Sequence, residues 1–272
     1  MPACALCQNE YPTLNQSHII PKLVYKRIKS HPQSRFRDLG NISNIMQDGE
    51  KHKMLCHDCE EKFCALETNF AKHFLDDYLR TGRIPNININ EGWMGNYILS
   101  VAWRILNDDL YRLNSFSGEW LRPLFETFEL QLRTHLNKQQ IPETIPSFTK
   151  NYVFKLSEIL QDISCQKLLE KMIFGYTYFD GDYKSFVVFS SYAGLVCATQ
   201  LIPNEAAMLL IDPSVSLHKL MIDMLRGKRQ NLVLSLRKNL TESCVDIAKQ
   251  YQKVMTPELH ASIKKFYENK QA

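Results

Sequence analysis

Long apolar runs are missing from this chain. No stretch reaches the roughly 18 uninterrupted apolar residues that a membrane-spanning helix needs. The opening MPACALCQNE has neither the basic start nor the apolar run of a secretory signal. These two absences make a soluble, cytoplasmic protein with no membrane partner the expectation. A large charge of one sign is missing as well: 33 Lys+Arg against 29 Asp+Glu leave +4. That balance is too slight to announce a nucleic-acid partner by bulk attraction, so any basic surface has to be local. Eight cysteines in 272 residues are too few for a disulfide scaffold. No Gly-x-Gly-x-x-Gly or phosphate-loop signature occurs, which leaves nucleotide hydrolysis by that route without support, and there is no internal repeat or low-complexity tract. What is present, 44% hydrophobic and 23% charged residues, is enough for a substantial core in one large domain or two small ones.

The apolar pattern is mostly helical. Ile19, Ile20, Leu23, Val24 and Ile28 fall at helical spacing, with Ser17 placed to cap and Pro21 in the first turn. Phe63, Leu66, Phe70, Phe74 and Leu79 predict a helix from Asp58 to about Arg80, stopped by Thr81-Gly82 and Pro85. Met94 to Leu106 and Trp120 to Leu136 give two more, and Pro142 and Pro146 mark a linker. Val153, Phe154, Leu156, Ile159, Leu160, Ile163 and Leu169 suggest another helix. The pattern then changes. Ile173 to Phe179 and Phe186 to Phe189 are aromatic and β-branched around Asp180-Gly181-Asp182, which predicts a hairpin, and Gly194 to Ile202 can add a third strand. Helix returns afterwards, with Thr256, Pro257 and Glu258 as a cap and first turn. The expected class is α+β, mostly α: a module over residues 1–80, then a helical body over 81–272 with a small late antiparallel sheet.

Residues 1–63 have little apolar periodicity but hold Cys4-Ala5-Leu6-Cys7 and Cys56-His57-Asp58-Cys59. Each Cys-x-x-Cys can offer two thiolates to one tetrahedral ion at about 2.3 Å per Zn–S bond, and four thiolates favour zinc over hard cations. A thiol–disulfide pair is the competing reading. A knuckle, a loop and a second knuckle opening a helix make the plan of a treble clef, in which Zn2+ is structural. Cys64, Cys165, Cys197 and Cys244 sit singly among apolar residues and are expected to be buried, while His57, between two ligands, is expected to face solvent. Trp93, Trp103 and Trp120 are expected in the core rather than on a base-stacking platform.

Between the knuckles lies Ser17-His18-Ile19-Ile20-Pro21-Lys22, followed by Gln47-Asp48-Gly49 and Leu55-Cys56-His57-Asp58-Cys59-Glu60. Over about Cys4 to Phe70 these segments resemble the HNH (ββα-metal) endonucleases, in particular their zinc-stabilised branch. The resemblance implies a metal-dependent nuclease that hydrolyses phosphodiester bonds, with His18 as the general base, Asn44 (or Asn41) as the central asparagine that orients it, and a second divalent ion, Mg2+ or Mn2+, beside it. Such enzymes often act on foreign DNA. The family usually has an aspartate before that histidine and a histidine after the last cysteine; here Ser17 and Glu60 stand in those places. A glutamate can ligate Mg2+ or Mn2+, so Glu60 is the candidate metal ligand, with Glu67 seven positions on along the same helix face and Asp48 as further candidates. Glu60 and Glu61 read equally well as first-turn acids that suit a helix dipole.

Ser17 to Arg37 carries Lys22, Lys26, Arg27, Lys29, Arg35 and Arg37 and no acid. Lys22, Lys26 and Lys29 share one face beside His18, which would set cations against phosphates, and Arg35 and Arg37 join them as candidate nucleic-acid contacts. A solvated helix face is the alternative. Arg226, Lys228, Arg229, Arg237 and Lys238 form a weaker second cluster. The expectation is therefore an HNH-like, zinc-stabilised, DNA-binding hydrolase, DNA being favoured over RNA. The alternative is a catalytically inactive zinc-knuckle module that binds nucleic acid or protein. Residues 81–272 would supply specificity, self-association or a partner surface.

Overall fold

The computed structural model describes residues 1–28, 36–37, 45–46, 49–113, 121–170, 172–180, 185–202, 238 and 240–250. The N-terminal part is a two-stranded antiparallel ribbon, β1 (Asn15–His18) on the strand Lys51–Leu55, with the short helix α1 (Lys22–Ile28) after β1. Between them Phe36–Arg37 (β2) and Ile45–Met46 (β3) pair antiparallel, so Lys51–Leu55 is β4. Helix α2 (His57–Phe70) follows at once and runs through a π-helical turn, Ala71–Leu75, into α3 (Asp76–Thr81), which Gly82 ends at φ 67°. A residue at that φ with no Cβ closes the helix without strain, as the Thr-Gly stop predicts.

Helix α4 (Gly92–Asp108) is the centre of the molecule. Nearly every side chain from Met94 to Leu106 is buried, the polar Asn96, Ser100 and Arg104 among them. It packs on α2, on α5 (Leu121–Leu136) and on the sheet. Phe70 of α2 stacks on Tyr97 with centroids 3.9 Å apart. Lys62 of α2 donates to the carbonyls of Asn137 and Lys138 at the end of α5, where a cation suits both the open carbonyls and the helix dipole.

The late sheet has four antiparallel strands in the order β5-β8-β7-β6, formed by Thr149–Lys155 (β5), Phe174–Asp180 (β6), Ser185–Tyr192 (β7) and Leu195–Leu201 (β8). Its two faces enter different cores. Phe186, Val188, Leu195, Cys197 and Leu201 join a cluster that runs through α5, α4 and α2 to Cys4. Val187, Phe189, Val196 and Ala198 join a second cluster with the short helices α6 (Leu156–Ile159) and α7 (Ile163–Leu169) and with Leu240, Cys244, Ile247 and Ala248. Period-two alternation sends successive residues of one strand into opposite layers.

The class is thus α+β and largely helical, with a small antiparallel sheet and an N-terminal cysteine cluster. Among the described residues no helix is long and apolar enough to cross a membrane. Three expectations need correction. The helix expected from Val153 to Leu169 is strand β5 followed by two short helices. Seven-residue pairing with β8, from Thr149↔Leu201 to Lys155↔Leu195, overrides a helical spacing that only begins to apply at Leu156. Ser17 does not cap α1: it lies in β1, and its Oγ accepts the Leu55 N–H at 3.1 Å. Cys64 is exposed, because it lies on the outer side of α2, whereas Cys165, Cys197 and Cys244 are buried as expected. Trp120, Gly181, Asp182, the residues of the second basic cluster up to Arg237 and Thr256 fall outside the described residues.

One polar knot in the core has a pH signature. Asn96 donates through Nδ2 to the carbonyls of Gly92 and Pro142, so its Oδ1 faces His135 Nε2 at 2.8 Å and that nitrogen must donate. Burial pushes the His135 pKa down from 6.5 to about 4. A histidine depressed in the folded state contributes stability that is present above its unfolded pKa and lost as pH falls from 6.5 towards 4. Asp109, pushed up to about 6 by burial, works the other way: its contribution is complete at low pH and lost as pH rises from 3.8 to 6. The two partly cancel in wild type. In His135→Gln the Asp109 slope should stand alone, so urea midpoints measured from pH 7 to pH 4.5 should rise relative to wild type as pH falls. An unchanged difference across that range would show that His135 does not titrate this way.

Candidate metal centre and the histidine beside it

The first cysteine pair sits on a tight hairpin. Ala3 bridges Glu10, Cys4 N–H donates to Asn9 O, and Gln8 N–H donates to Cys4 O at 2.9 Å with Gln8 at φ 63°. The Gln8 side chain also donates to the Cys4 and Ala5 carbonyls, which holds a left-handed residue in place. Ala5 N–H donates to Met54 O, docking the knuckle on β4. The second pair opens α2: Cys56 is the N-cap at φ −74°, ψ 170°, with no side-chain cap bond, and its N–H donates to Cys4 Sγ at 3.3 Å. Sulfur therefore receives a backbone donor at a helix N-terminus, where negative charge is favoured.

All four sulfurs lie within 4.8 Å of one another, and Cys7 Sγ is 3.9 Å from Cys56 Sγ. Tetrahedral coordination at about 2.3 Å per bond puts ligand sulfurs about 3.8 Å apart, so the cluster could hold a metal ion such as zinc. Cys4, Cys56 and Cys59 are buried and Cys7 half-buried. Their electrostatics call for a cation. A hydrogen bond from the Cys59 thiol pulls the Cys4 pKa down to about 4, and the resulting thiolate pushes Cys59 far up. Burial also raises Cys7. Without a cation one thiolate is favoured and further ones are opposed. His57 lies outside this cluster, 76% exposed and 3.2 Å from Glu61 one turn on, as expected of a residue between two ligands.

His18 ends β1, half-buried and paired in register with Lys51. Its ring stands 6.5 Å from Tyr25 of α1. Gly49, at φ 83°, leaves no room for a Cβ, which would run into the Tyr25 ring. The Gly of the Gln-Asp-Gly segment thus lets Tyr25 close beside His18. Lys22 and Lys26 are exposed on α1, and Arg27 is tied to Asp76 of α3 at 2.5 Å. Asn44, Asn41 and Asp48, and the side chains of Lys29, Arg35 and Arg37, fall outside the described residues.

The carboxylates proposed beside His18 separate in their environments. Glu60 has a buried Oε1 with no hydrogen-bond partner among the described residues. Glu67 is occupied: its Oε1 accepts from Arg104 of α4 at 2.7 Å. Sequence reasoning missed a further set, Glu50, His52 and Asp108, whose ligand atoms also lie within 4.8 Å of one another. A Glu-x-His spacing, which places both residues on one strand face, was the signal for the first two; nothing local points to Asp108 at the far end of α4. Comparison with protein-family models, with curated proteins and with solved structures gives no match to this chain.

Proposed function

We propose that this chain is a zinc-stabilised, HNH-like endonuclease that hydrolyses phosphodiester bonds of nucleic acid, DNA being the favoured substrate. The observation that carries the reading is the four-cysteine cluster, which clasps the start of α2 against β4, the strand on which β1 and its His18 are built. Cys4, Cys7, Cys56 and Cys59 hold Zn2+ in a structural role, with no coordination position left over for chemistry. His18 takes a proton from the attacking water, the general-base role that the resemblance gives it. Lys22 and Lys26 contact phosphates. Glu60, with its unsatisfied buried oxygen, is the ligand available to Mg2+ or Mn2+, which when bound supplies Lewis-acid stabilisation of the developing charge. Asn44 keeps the orienting role that the resemblance implies, and residues 81–272 contribute specificity, self-association or a partner surface.

A second reading is favoured by two contacts. Ser17 spends its hydroxyl on Leu55 N–H and Glu67 its carboxylate on Arg104, which leaves Glu60 poorly supported as a metal ligand. On this reading the module binds nucleic acid or protein without cutting. Plasmid and short-duplex assays with Mg2+ or Mn2+ separate the two. The nuclease reading expects divalent-dependent cleavage that His18→Ala lowers by about 10²–10⁴-fold, with zinc content and circular dichroism unchanged. Retained affinity with no cleavage under either metal would establish the second reading in its place.

A further inference from the structure

Glu50, just ahead of β4, His52 on β4 and Asp108 at the end of α4 converge from two parts of the chain more than fifty residues apart. His52 Nε2 is buried and makes no hydrogen bond among the described residues, although Glu50 Oε1 and Asp108 Oδ1 stand 3.4 and 3.6 Å away. One aromatic nitrogen and two carboxylate oxygens thus face a common point without satisfying one another. Burial of Asp108, whose side chain is 6% exposed, makes that arrangement costly unless something neutralises it.

Arg112, in the π-helical turn Asp109–Leu113 that continues α4, does part of this. Its Nε and a terminal nitrogen donate to Asp108 Oδ1 and Oδ2 at 2.5 and 2.7 Å, and a terminal nitrogen reaches Glu50 Oε1 at 2.6 Å. With the imidazole neutral, two carboxylates and one guanidinium still sum to −1. Each carboxylate oxygen has a second lone pair, so a guanidinium on one side leaves room for a cation on the other. Carboxylates that ligate metals are commonly held by such hydrogen bonds from outside. Asp109 is engaged elsewhere, accepting from the Thr177 N–H and hydroxyl.

We propose that Glu50, His52 and Asp108 form a divalent-cation site distinct from the four-cysteine centre, with Arg112 fixing the carboxylates from outside. One imidazole with two carboxylates suits an oxygen-preferring first-row ion such as Mn2+ better than a thiophilic ion, and water would complete its coordination. In the register of the ribbon His52 stands opposite Ser17 and Lys51 opposite His18, and neighbours along a strand point to opposite faces. The site does not depend on His18 being catalytic.

The test uses full-length protein whose cysteine centre is saturated with zinc, titrated with Mn2+ while the free-ion electron paramagnetic resonance signal is followed. One Mn2+ per chain beyond any held at Glu60 should bind, and Glu50→Gln and His52→Ala should each weaken that equivalent at least tenfold with zinc content unchanged. Glu50 is exposed, so its variant tests the site without endangering the fold. Either wild type that leaves Mn2+ free up to millimolar concentration, or variants that bind as wild type does, overturns the proposal and reduces the cluster to an ion-pair network.

Discussion

Cys4→Ser should leave the protein without stoichiometric zinc and unfold its first sixty or so residues. Cys4 is fully buried, has its thiol pKa pulled down to about 4 by the Cys59 hydrogen bond and receives the Cys56 N–H. A serine there keeps the shape but gives up the soft anionic ligand that four-sulfur coordination depends on. Structural zinc sites in small modules bind with about 10–16 kcal/mol of apparent free energy, and binding of that size is also folding free energy. Regular structure in this part of the chain is short: among the described residues β1 has four residues and pairs with β4 alone, and α1 has seven. Loss of the ion should therefore cost more than any single apolar truncation in the sheet. Zinc analysis of purified wild type should give one equivalent per chain, and Cys4→Ser should show none, a lower Tm and early proteolysis ahead of α2. The paired cysteines of wild type should resist alkylation until a chelator is added. A variant with unchanged Tm, or wild type with reactive free thiols, would return the cluster to the thiol–disulfide reading.

Sequence reasoning succeeded where one short-range signal was enough. Two Cys-x-x-Cys motifs specify their own geometry, so all four cysteines could be named before any fold was known. The apolar period from Met94 to Leu106 marked α4, because a helix buried on all sides tolerates no break in the pattern. The hairpin of β6 and β7 and the third strand β8 followed from aromatic and β-branched runs. Failures came where tertiary pairing decided the outcome. Val153 to Leu169 had helical spacing, yet β8 needed an edge partner and residues Thr149–Lys155 supply it. Ser17 looked like a cap because capping is a local habit of serine, but a partner 38 positions away claimed its hydroxyl. The Glu50–His52–Asp108 group could not be assembled from spacing, since Asp108 arrives from the end of α4 while the other two belong to the ribbon. Glu60 and Glu67 were paired by helical periodicity alone, and that periodicity carries no information about which neighbour each carboxylate meets.

Glu67→Ala should destabilise the protein by about 3–5 kcal/mol, the usual cost of removing one partner from a buried ion pair. Arg104, whose side chain is 2% exposed, donates to Glu67 Oε1 at 2.7 Å and rests its guanidinium 4.7 Å from the Phe63 ring centre. Its Nε has no hydrogen-bond partner among the described residues, so loss of Glu67 leaves a buried cation against the Phe63 ring without its carboxylate. The pair also bridges α2 and α4, and thereby ties the four-cysteine module to the central helix. If Glu67 acts in this way alone, the double variant Glu67→Leu with Arg104→Met should recover most of the loss, because two apolar chains of similar volume need no solvation. Divalent-ion affinity and any cleavage activity should then follow the restored fold. If Glu67 is a ligand as the seven-residue spacing from Glu60 suggested, the double variant should fold well and still bind Mg2+ or Mn2+ less tightly. Denaturant unfolding of wild type, Glu67→Leu, Arg104→Met and the double variant, read together with metal titration of the double variant, distinguishes the two roles because only the ligand role separates stability from affinity.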